Sequence, residues 1–236
     1  MGTWFNAVPG IAATRTASHR QIFASKSESF LPSGKQISGE ASRDPGNANI
    51  TTLRAGLLMG KISSVVNSLG NANQYAPSIF GVTTNAEAIG STSIQAAAAV
   101  VTELVRRVGA TGTFKLTGPS VANGSVVTET VTYSAASSTN ITVTGLANAF
   151  VAGSFIQPTD GSETPLTFIP DGYGVLVVDD DAASLESVDF PMMPVSGIVD
   201  SSQLLPTFPS DTSLRTWLMV RLNDSFGGQF VWDHAY

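Results

Sequence analysis

The chain of 236 residues contains no cysteine and only two histidines. Without cysteine it has no disulfides and no thiolate metal ligands, so its stability must come from burial of apolar groups or from association. His19 lies in a segment rich in turn residues and His234 near the last residues. A histidine metal site or a Ser/His/Asp triad is therefore not expected. We predict that the protein is not an enzyme and uses no cofactor.

Long apolar runs and charged residues are also scarce. No run approaches the ~20 residues that are needed to cross a bilayer, so no membrane partner is expected. Charged residues make up 13% of the chain, and small and β-branched residues are abundant. This composition favours strands and turns over long surface helices. The first residues lack a basic segment followed by an apolar one, so we expect synthesis in a cytoplasm.

The charge is unevenly distributed along the chain. Residues 1–61 carry seven basic and three acidic side chains, whereas residues 160–236 carry twelve acidic and two basic ones. A basic N-terminal part and an acidic C-terminal part suit contacts between subunits, although solubility alone would also explain this distribution of charge. The net charge of −6 argues against nucleic acid as a partner, because binding phosphates needs clustered lysine and arginine.

Residues 1–35 are predicted to form an extended N-terminal arm. Their apolar side chains follow no helical period, and Pro9, Gly10, Pro32 and Gly34 interrupt them. Fixing each residue costs about 1–2 kcal/mol, and each buried large apolar side chain returns about 1.5–3 kcal/mol, so the arm should not fold alone. It is either a disordered tail or a segment that orders on a partner. The candidate contact residues are Trp4, Phe5, Val8, Ile11, Arg15, Arg20, Ile22, Phe23, Phe30 and Leu31.

The stretch from Leu53 to Val82 contains two short apolar runs on either side of a polar loop, which predicts two strands. Gly56 and Gly60 interrupt the first run. Glycine inside a strand marks a bulge or a close approach of another backbone segment.

Residues 91–165 are predicted to form a small inserted α/β subdomain. Its helix would begin after an N-cap at Ser93 and end with Arg106 and Arg107 before Gly109. Alternating patterns then predict strands at 113–117, 126–133 and 141–144.

Residues 36–90 together with 166–236 are predicted to form a β-rich core of barrel or sandwich type. Strands are expected at 174–178 and 187–190. A second short helix should begin near Ser210 or Asp211, and a last strand should cover 229–232.

The pattern Leu-Arg-x-Gly-x-x-x-Gly-Lys, followed by Tyr-x-Pro, resembles the head decoration proteins of tailed bacteriophages, the lambda-like cement family. The residues that carry the resemblance are Leu53, Arg54, Gly56, Gly60, Tyr75 and Pro77. The 91–165 insert departs from the short members of that family.

The resemblance implies a β-tulip or sandwich-like fold and a homotrimer on the capsid exterior of a virion. It also implies that the arm bridges major capsid proteins and that the protein stabilises the shell. The alternative is a carbohydrate-binding or adhesin-like β-module displayed on a virion or cell surface, which the Thr/Ser-rich insert suggests.

Overall fold

A computed structural model describes residues 22–24, 29–31, 35–64, 67, 69–170, 175–176, 187–190, 193–206, 212–224 and 229–232. Within these residues the fold is mainly β with two α-helices, which confirms the predicted fold class. The helices are α1 (Ala98–Val108) and α2 (Thr212–Asp224). The strands are β1 (Ser29–Leu31), β2 (Gln36–Ile37), β3 (Thr52–Leu53), β4 (Leu58–Lys61), β5 (Tyr75–Pro77), β6 (Gly81–Val82), β7 (Ser93–Gln95), β8 (Gly112–Pro119), β9 (Val126–Ser137), β10 (Asn140–Val143), β11 (Phe155–Gln157), β12 (Thr167–Phe168), β13 (Val175–Leu176), β14 (Val188–Asp189), β15 (Met193–Val199) and β16 (Gln229–Trp232).

The largest sheet of the described chain has six antiparallel strands in the order β6-β11-β8-β9-β10-β7. An antiparallel bridge between Thr83 and Ala96 links the ends of its two edge strands, so the sheet curls back on itself. Val131 and Tyr133 of β9 are buried, whereas Thr130 and Thr132 between and beside them are exposed. The alternation seen in the sequence therefore separates an apolar inner face from a polar outer face.

Helix α1 packs on the inner face of this sheet. Val101 and Leu104 share one apolar cluster with Phe114, Val131 and Ile141 of the strands. The helix ends as predicted, with two arginines in its last turn and Gly109 as its C-cap at φ +123°.

The start of α1 differs from the prediction. Ser93 is not an N-cap but the first residue of strand β7, and the helix begins at Ala98 with Ala97 as the N-cap residue. The hydroxyl of Ser93 donates to the side-chain oxygen of Asn140 on β10 instead of capping a helix. Residues 93–95 form a strand instead of a helix start because pairing of Ile94 with Ile141 buries both side chains fully.

A five-stranded sheet has the order β12-β4-β5-β2-β14 and is antiparallel except for the β2–β5 pair. The β4–β5 hairpin, in which Gly60 pairs with Ala76, accounts for the two strands predicted between Leu53 and Val82. The same stretch also supplies β3 and β6, which pair in other sheets. Gly56, at φ +88°, turns the chain between β3 and β4.

A third sheet places β15 between an antiparallel β1 and a parallel β16. Helix α2 begins at Thr212, close to the predicted start, and buries Leu214, Leu218 and Leu222. The last predicted strand is observed as β16. The strands at 174–178 and 187–190 are observed in part, as β13 and β14.

The residues just before β1 require a correction to the predicted arm. Ile22 and Phe23 were placed in a capsid-contacting arm, but their side chains are 0% and 3% exposed and lie in the same cluster as Leu214 and Phe230. They belong to the core of the protein. Their partners come from distant strands, so no pattern within residues 1–35 shows that these two side chains are buried.

Candidate functional site

The N-terminal segment is held to the core where residues 22–24 and 29–31 pair with β15. Phe23 forms an antiparallel bridge with Val199, and β1 continues the pairing, with Phe30 opposite Pro194 and Leu31 opposite Met193. The remaining predicted contact residues lie outside the described residues. They are Trp4, Phe5, Val8, Ile11, Arg15 and Arg20.

The anchor of this segment is aromatic and apolar. The ring of Phe23 lies 5.5 Å from that of Phe168, which in turn lies 5.5 Å from the ring of Phe230. Burying a side chain of this size stabilises by about 1.5–3 kcal/mol. Ile22 and Phe23 together therefore contribute about 3–6 kcal/mol, enough to keep the start of the described chain docked.

The glycines of the family-like pattern lie where backbone segments meet. A methyl group on Gly56 would lie 2.2 Å from the carbonyl oxygen of Gln203 and 2.9 Å from Cδ1 of Ile22. One on Gly60 would lie 1.9 Å from the carbonyl oxygen of Ser162. Neither position has room for a side chain, which confirms the predicted close backbone approach. Gly56 also makes the space in which the anchor residue Ile22 packs.

The other residues of the pattern build the same region. Arg54 forms a two-point ion pair with Asp44, with Nε–Oδ2 at 2.7 Å and Nη2–Oδ1 at 2.9 Å. Leu53 is fully buried, and the ring of Tyr75 meets that of Phe190 edge-on at 5.7 Å. Pro77 pairs with Met59 in the β4–β5 hairpin. These residues therefore contribute to packing and pairing within the fold.

A buried ion pair that the sequence analysis missed lies beside Gly60. Arg107 donates to Oδ2 of Asp160 from Nε at 3.0 Å and from Nη2 at 2.6 Å. It also donates to the hydroxyl of Ser162 at 3.0 Å and to the carbonyl oxygen of Ala41 at 2.7 Å. The side chains of Arg107 and Asp160 are 1% and 2% exposed.

The buried pair joins three parts of the chain. Arg107 lies at the end of α1, Ala41 in the turn after β2, and Asp160 and Ser162 in the loop that Gly60 touches. One sequence signal was present, because Arg107 follows Leu104 by three positions and so falls on the apolar side of the helix. A buried arginine needs an acidic partner, but nothing in the sequence shows which acid it is.

The described residues show little that could perform chemistry. An open, polar cleft of about 250 Å³ is lined by Gln36, Ala72, Asn73, Gln74 and Asp189, with one carboxylate and no nucleophile–base pair. Within the described ranges no three His, Cys, Asp or Glu side chains are grouped to hold a metal. None of the helices described is long and apolar enough to cross a membrane.

No protein-family model, curated protein or solved structure matches the chain.

Burial shifts the pKa of two tyrosines among the described residues, and both have a structural role. Burial raises the pKa of Tyr133 to about 12, and its hydroxyl donates to the carbonyl oxygen of Gly109 at the end of α1. Burial likewise raises the pKa of Tyr75. Both phenols stay neutral at ordinary pH, which suits packing better than proton transfer.

Proposed function

We propose that the protein is a structural virion protein that binds the outer surface of a tailed-phage capsid as a homotrimer and stabilises the shell. Residues 1–21 bridge neighbouring major capsid proteins. The observation that carries the proposal is the junction at Ile22 and Phe23, where a basic, aromatic segment continues from two core residues.

The composition of this segment suits a docking role. Residues 1–21 contain Arg15 and Arg20 but no Asp or Glu, and Trp4 and Phe5 supply large apolar side chains. Aromatic anchors and arginine are the residue types that dominate binding energy in protein interfaces. Because Ile22 and Phe23 are buried, a force that acts on residues 1–21 would be transmitted directly to the core.

The pattern behind the family resemblance has a physical basis in this fold. Gly56 gives room to Ile22, and Gly60 gives room to the loop that carries Ser162. The motif thus supports both the anchor of the arm and the packing of the loop at the end of the insert. This agrees with a shared cement-type core, on which the resemblance depends.

Trimerisation would let each arm bind weakly. When three arms are linked, the second and third bind at an effective concentration on the order of mM, so overall affinity exceeds that of a single arm. A protein present in many copies on a shell can stabilise it in this way without an enzymatic step.

The decisive experiment is co-sedimentation with undecorated phage shells. The full chain should pellet with shells, and a variant lacking residues 1–20 should fold but stay in the supernatant. A longer deletion through Phe23 is unsuitable, because it would remove core residues. A double Trp4→Ala, Phe5→Ala variant tests the aromatic anchors, and Ile50→Ala, at a 47% exposed position in the described chain, serves as its control. Full-affinity binding by the 1–20 deletion would rule out the arm's role.

A second candidate, a carbohydrate-binding module, has one observation in its favour. On the outer face of the six-stranded sheet Thr113 pairs with Thr132, and Thr117 pairs with Thr128 through hydroxyls 2.9 Å apart. Thr117 is fully buried, so the hydroxyl groups that this face opens to a ligand are those of the exposed Thr128, Thr130 and Thr132. Binding on a glycan array together with no affinity for shells would favour this function.

A further inference from the structure

The loop between β8 and β9 contains Asn123 followed by Gly124, which is the single Asn-Gly pair in the chain. Both residues are exposed, and a methyl group placed on Gly124 would meet nothing within 4 Å. Because glycine has no side chain, the backbone nitrogen that follows Asn123 is not shielded by one. The side-chain amide of Asn123 is therefore open to reaction with the backbone next to it.

A hydrogen bond within the loop orients the side chain of Asn123. Its Oδ1 accepts from the backbone N–H of Ser125 at 3.0 Å. An N–H group that donates to a carbonyl oxygen stabilises the negative charge that develops there when a nucleophile adds to the carbon, as in an oxyanion hole. Among the described residues nothing accepts from Nδ2 of Asn123, so no hydrogen bond holds this group back as it leaves.

These features suit attack of the Gly124 nitrogen on Cγ of Asn123. The nitrogen gives its proton to solvent and forms a bond to Cγ, and the bond from Cγ to Nδ2 breaks with release of ammonia. The product is a cyclic imide. Water then adds to one of the two imide carbonyl groups and opens the ring, which leaves aspartate or, when it adds to the other carbonyl, isoaspartate. Water is the co-reactant, and no electrons are transferred.

One contact in the loop opposes this reaction. The backbone N–H of Gly124 donates to the carbonyl oxygen of Ser120 at 2.8 Å, so this bond must open before the nitrogen can attack. The bond lies at the exposed end of a hairpin, and local opening costs least in exposed loops with few buried contacts. We therefore expect the reaction to be slower than in a flexible peptide but to need no global unfolding.

We propose that Asn123 is a site of spontaneous deamidation in the folded protein. The conversion adds one negative charge to a chain whose net charge is −6. Isoaspartate also lengthens the backbone of the loop by one atom, which an exposed loop tip tolerates. Because ammonia is lost, the change is not reversed, and the converted fraction rises with the age of the molecule. The reaction does not depend on a role of the protein on a capsid.

Asn49 is a matched control within the same chain. It is exposed, and its Oδ1 accepts from the backbone N–H of Thr51 at 3.2 Å, the contact that Asn123 makes with Ser125. The hydroxyl of Thr51 also donates to this oxygen at 2.7 Å. The residue that follows Asn49 is Ile50, whose stiff β-branched side chain hinders approach of the backbone nitrogen. The two sites therefore differ mainly in the residue after the asparagine.

The test is peptide mapping by mass spectrometry after the full, folded chain has been incubated at mildly alkaline pH in water labelled with heavy oxygen. Asn123 should take up the label as aspartate and isoaspartate, while Asn49 keeps its amide. Gly124→Ala should slow the conversion of Asn123 about tenfold, because its methyl group shields the nitrogen. Ile50→Gly should make Asn49 convert as well. Circular dichroism checks that both variants fold like the unaltered chain.

Each of four results would overturn the proposal. Asn123 could keep its amide for as long as Asn49 does, or another asparagine of the folded chain could convert faster. Gly124→Ala could convert at the rate of the unaltered chain, or Asn49 could stay an amide in Ile50→Gly. Shell binding is not part of the measurement, so a chain that binds no shells can still deamidate at Asn123, and failure of either proposal is seen separately.

Discussion

Nη2 of Arg107 lies 2.6 Å from Oδ2 of Asp160, and the two residues are 53 positions apart in the chain. Both side chains are almost fully buried, and Ser162 and Ala41 complete the hydrogen bonds of the guanidinium. Burying two charges is costly, so such a pair adds little net stability relative to well-packed apolar residues. It does fix which parts of the chain meet, because a charge buried without its partner is strongly unfavourable.

Arg107→Ala should lower the free energy of unfolding by about 3–5 kcal/mol, since it leaves the Asp160 carboxylate buried and unpaired. Urea denaturation measures the loss. Arg107→Met, Asp160→Asn removes both charges and should recover a large part of it.

Lys115→Ala is the matched control for this prediction. Lys115 is 32% exposed and pairs at 2.6 Å with Glu163, whose side chain is 16% exposed. Its replacement should cost clearly less than that of Arg107, because water reaches both partners of this pair. Equal losses at the two positions would contradict the importance assigned to the buried pair.

Gly56→Ala should destabilise the protein far more than Gly90→Ala. Both glycines have left-handed backbones, with φ +88° and +78°, so each substitution costs about 1–2 kcal/mol in backbone conformation alone. At Gly90 a methyl group meets nothing within 4 Å, whereas at Gly56 it meets the Gln203 carbonyl at 2.2 Å. Thermal unfolding of the two variants separates backbone strain from steric overlap, and equal melting temperatures would show that the loop around Gln203 can move aside.

Phe23→Ala should lower the free energy of unfolding by about 3–5 kcal/mol, as is usual when a large buried aromatic side chain is truncated. Denaturant unfolding detects this without any capsid. If Phe23 served only to contact a capsid, Phe23→Ala would reduce shell binding and leave the free energy of unfolding unchanged.

Stability should fall as the pH rises from about 10 to about 12. The pKa of Tyr133 is raised by burial from 10.0 to about 12, so between these values the unfolded chain loses the phenolic proton while the folded chain keeps it. The contribution of Tyr133 is therefore fully present below pH 10 and is lost as the pH approaches 12. Urea midpoints measured across this interval should decline less steeply for Tyr133→Phe, and parallel slopes would show that Tyr133 is not responsible.

Much of the fold follows from local patterns. Alternation in 126–133 predicted a strand, and two arginines before Gly109 predicted the end of α1. The glycine spacing at 56 and 60 predicted close backbone approach. These features depend on side-chain periodicity or on a single residue type, which the sequence displays directly.

What the sequence did not reveal depends on distant partners. Ile22 and Phe23 resemble any apolar pair in a flexible arm until Phe168, Phe230 and α2 are placed around them. Ser93 is a good helix cap until Asn140 competes for its hydroxyl. Arg107 has the spacing of a buried residue, but four strands separate it in the chain from its acidic partner, so the pair could not be assigned in advance.

The bridge between Thr83 and Ala96 affects how readily copies of this protein aggregate through their sheet edges. A sheet with open edges offers unpaired backbone groups to any identical neighbour, and such edges can join copies without limit. That hazard grows with the local concentration of copies. The largest sheet of the described residues joins its own two edge strands. Fewer backbone groups are therefore left unpaired through which neighbouring copies could associate into fibres.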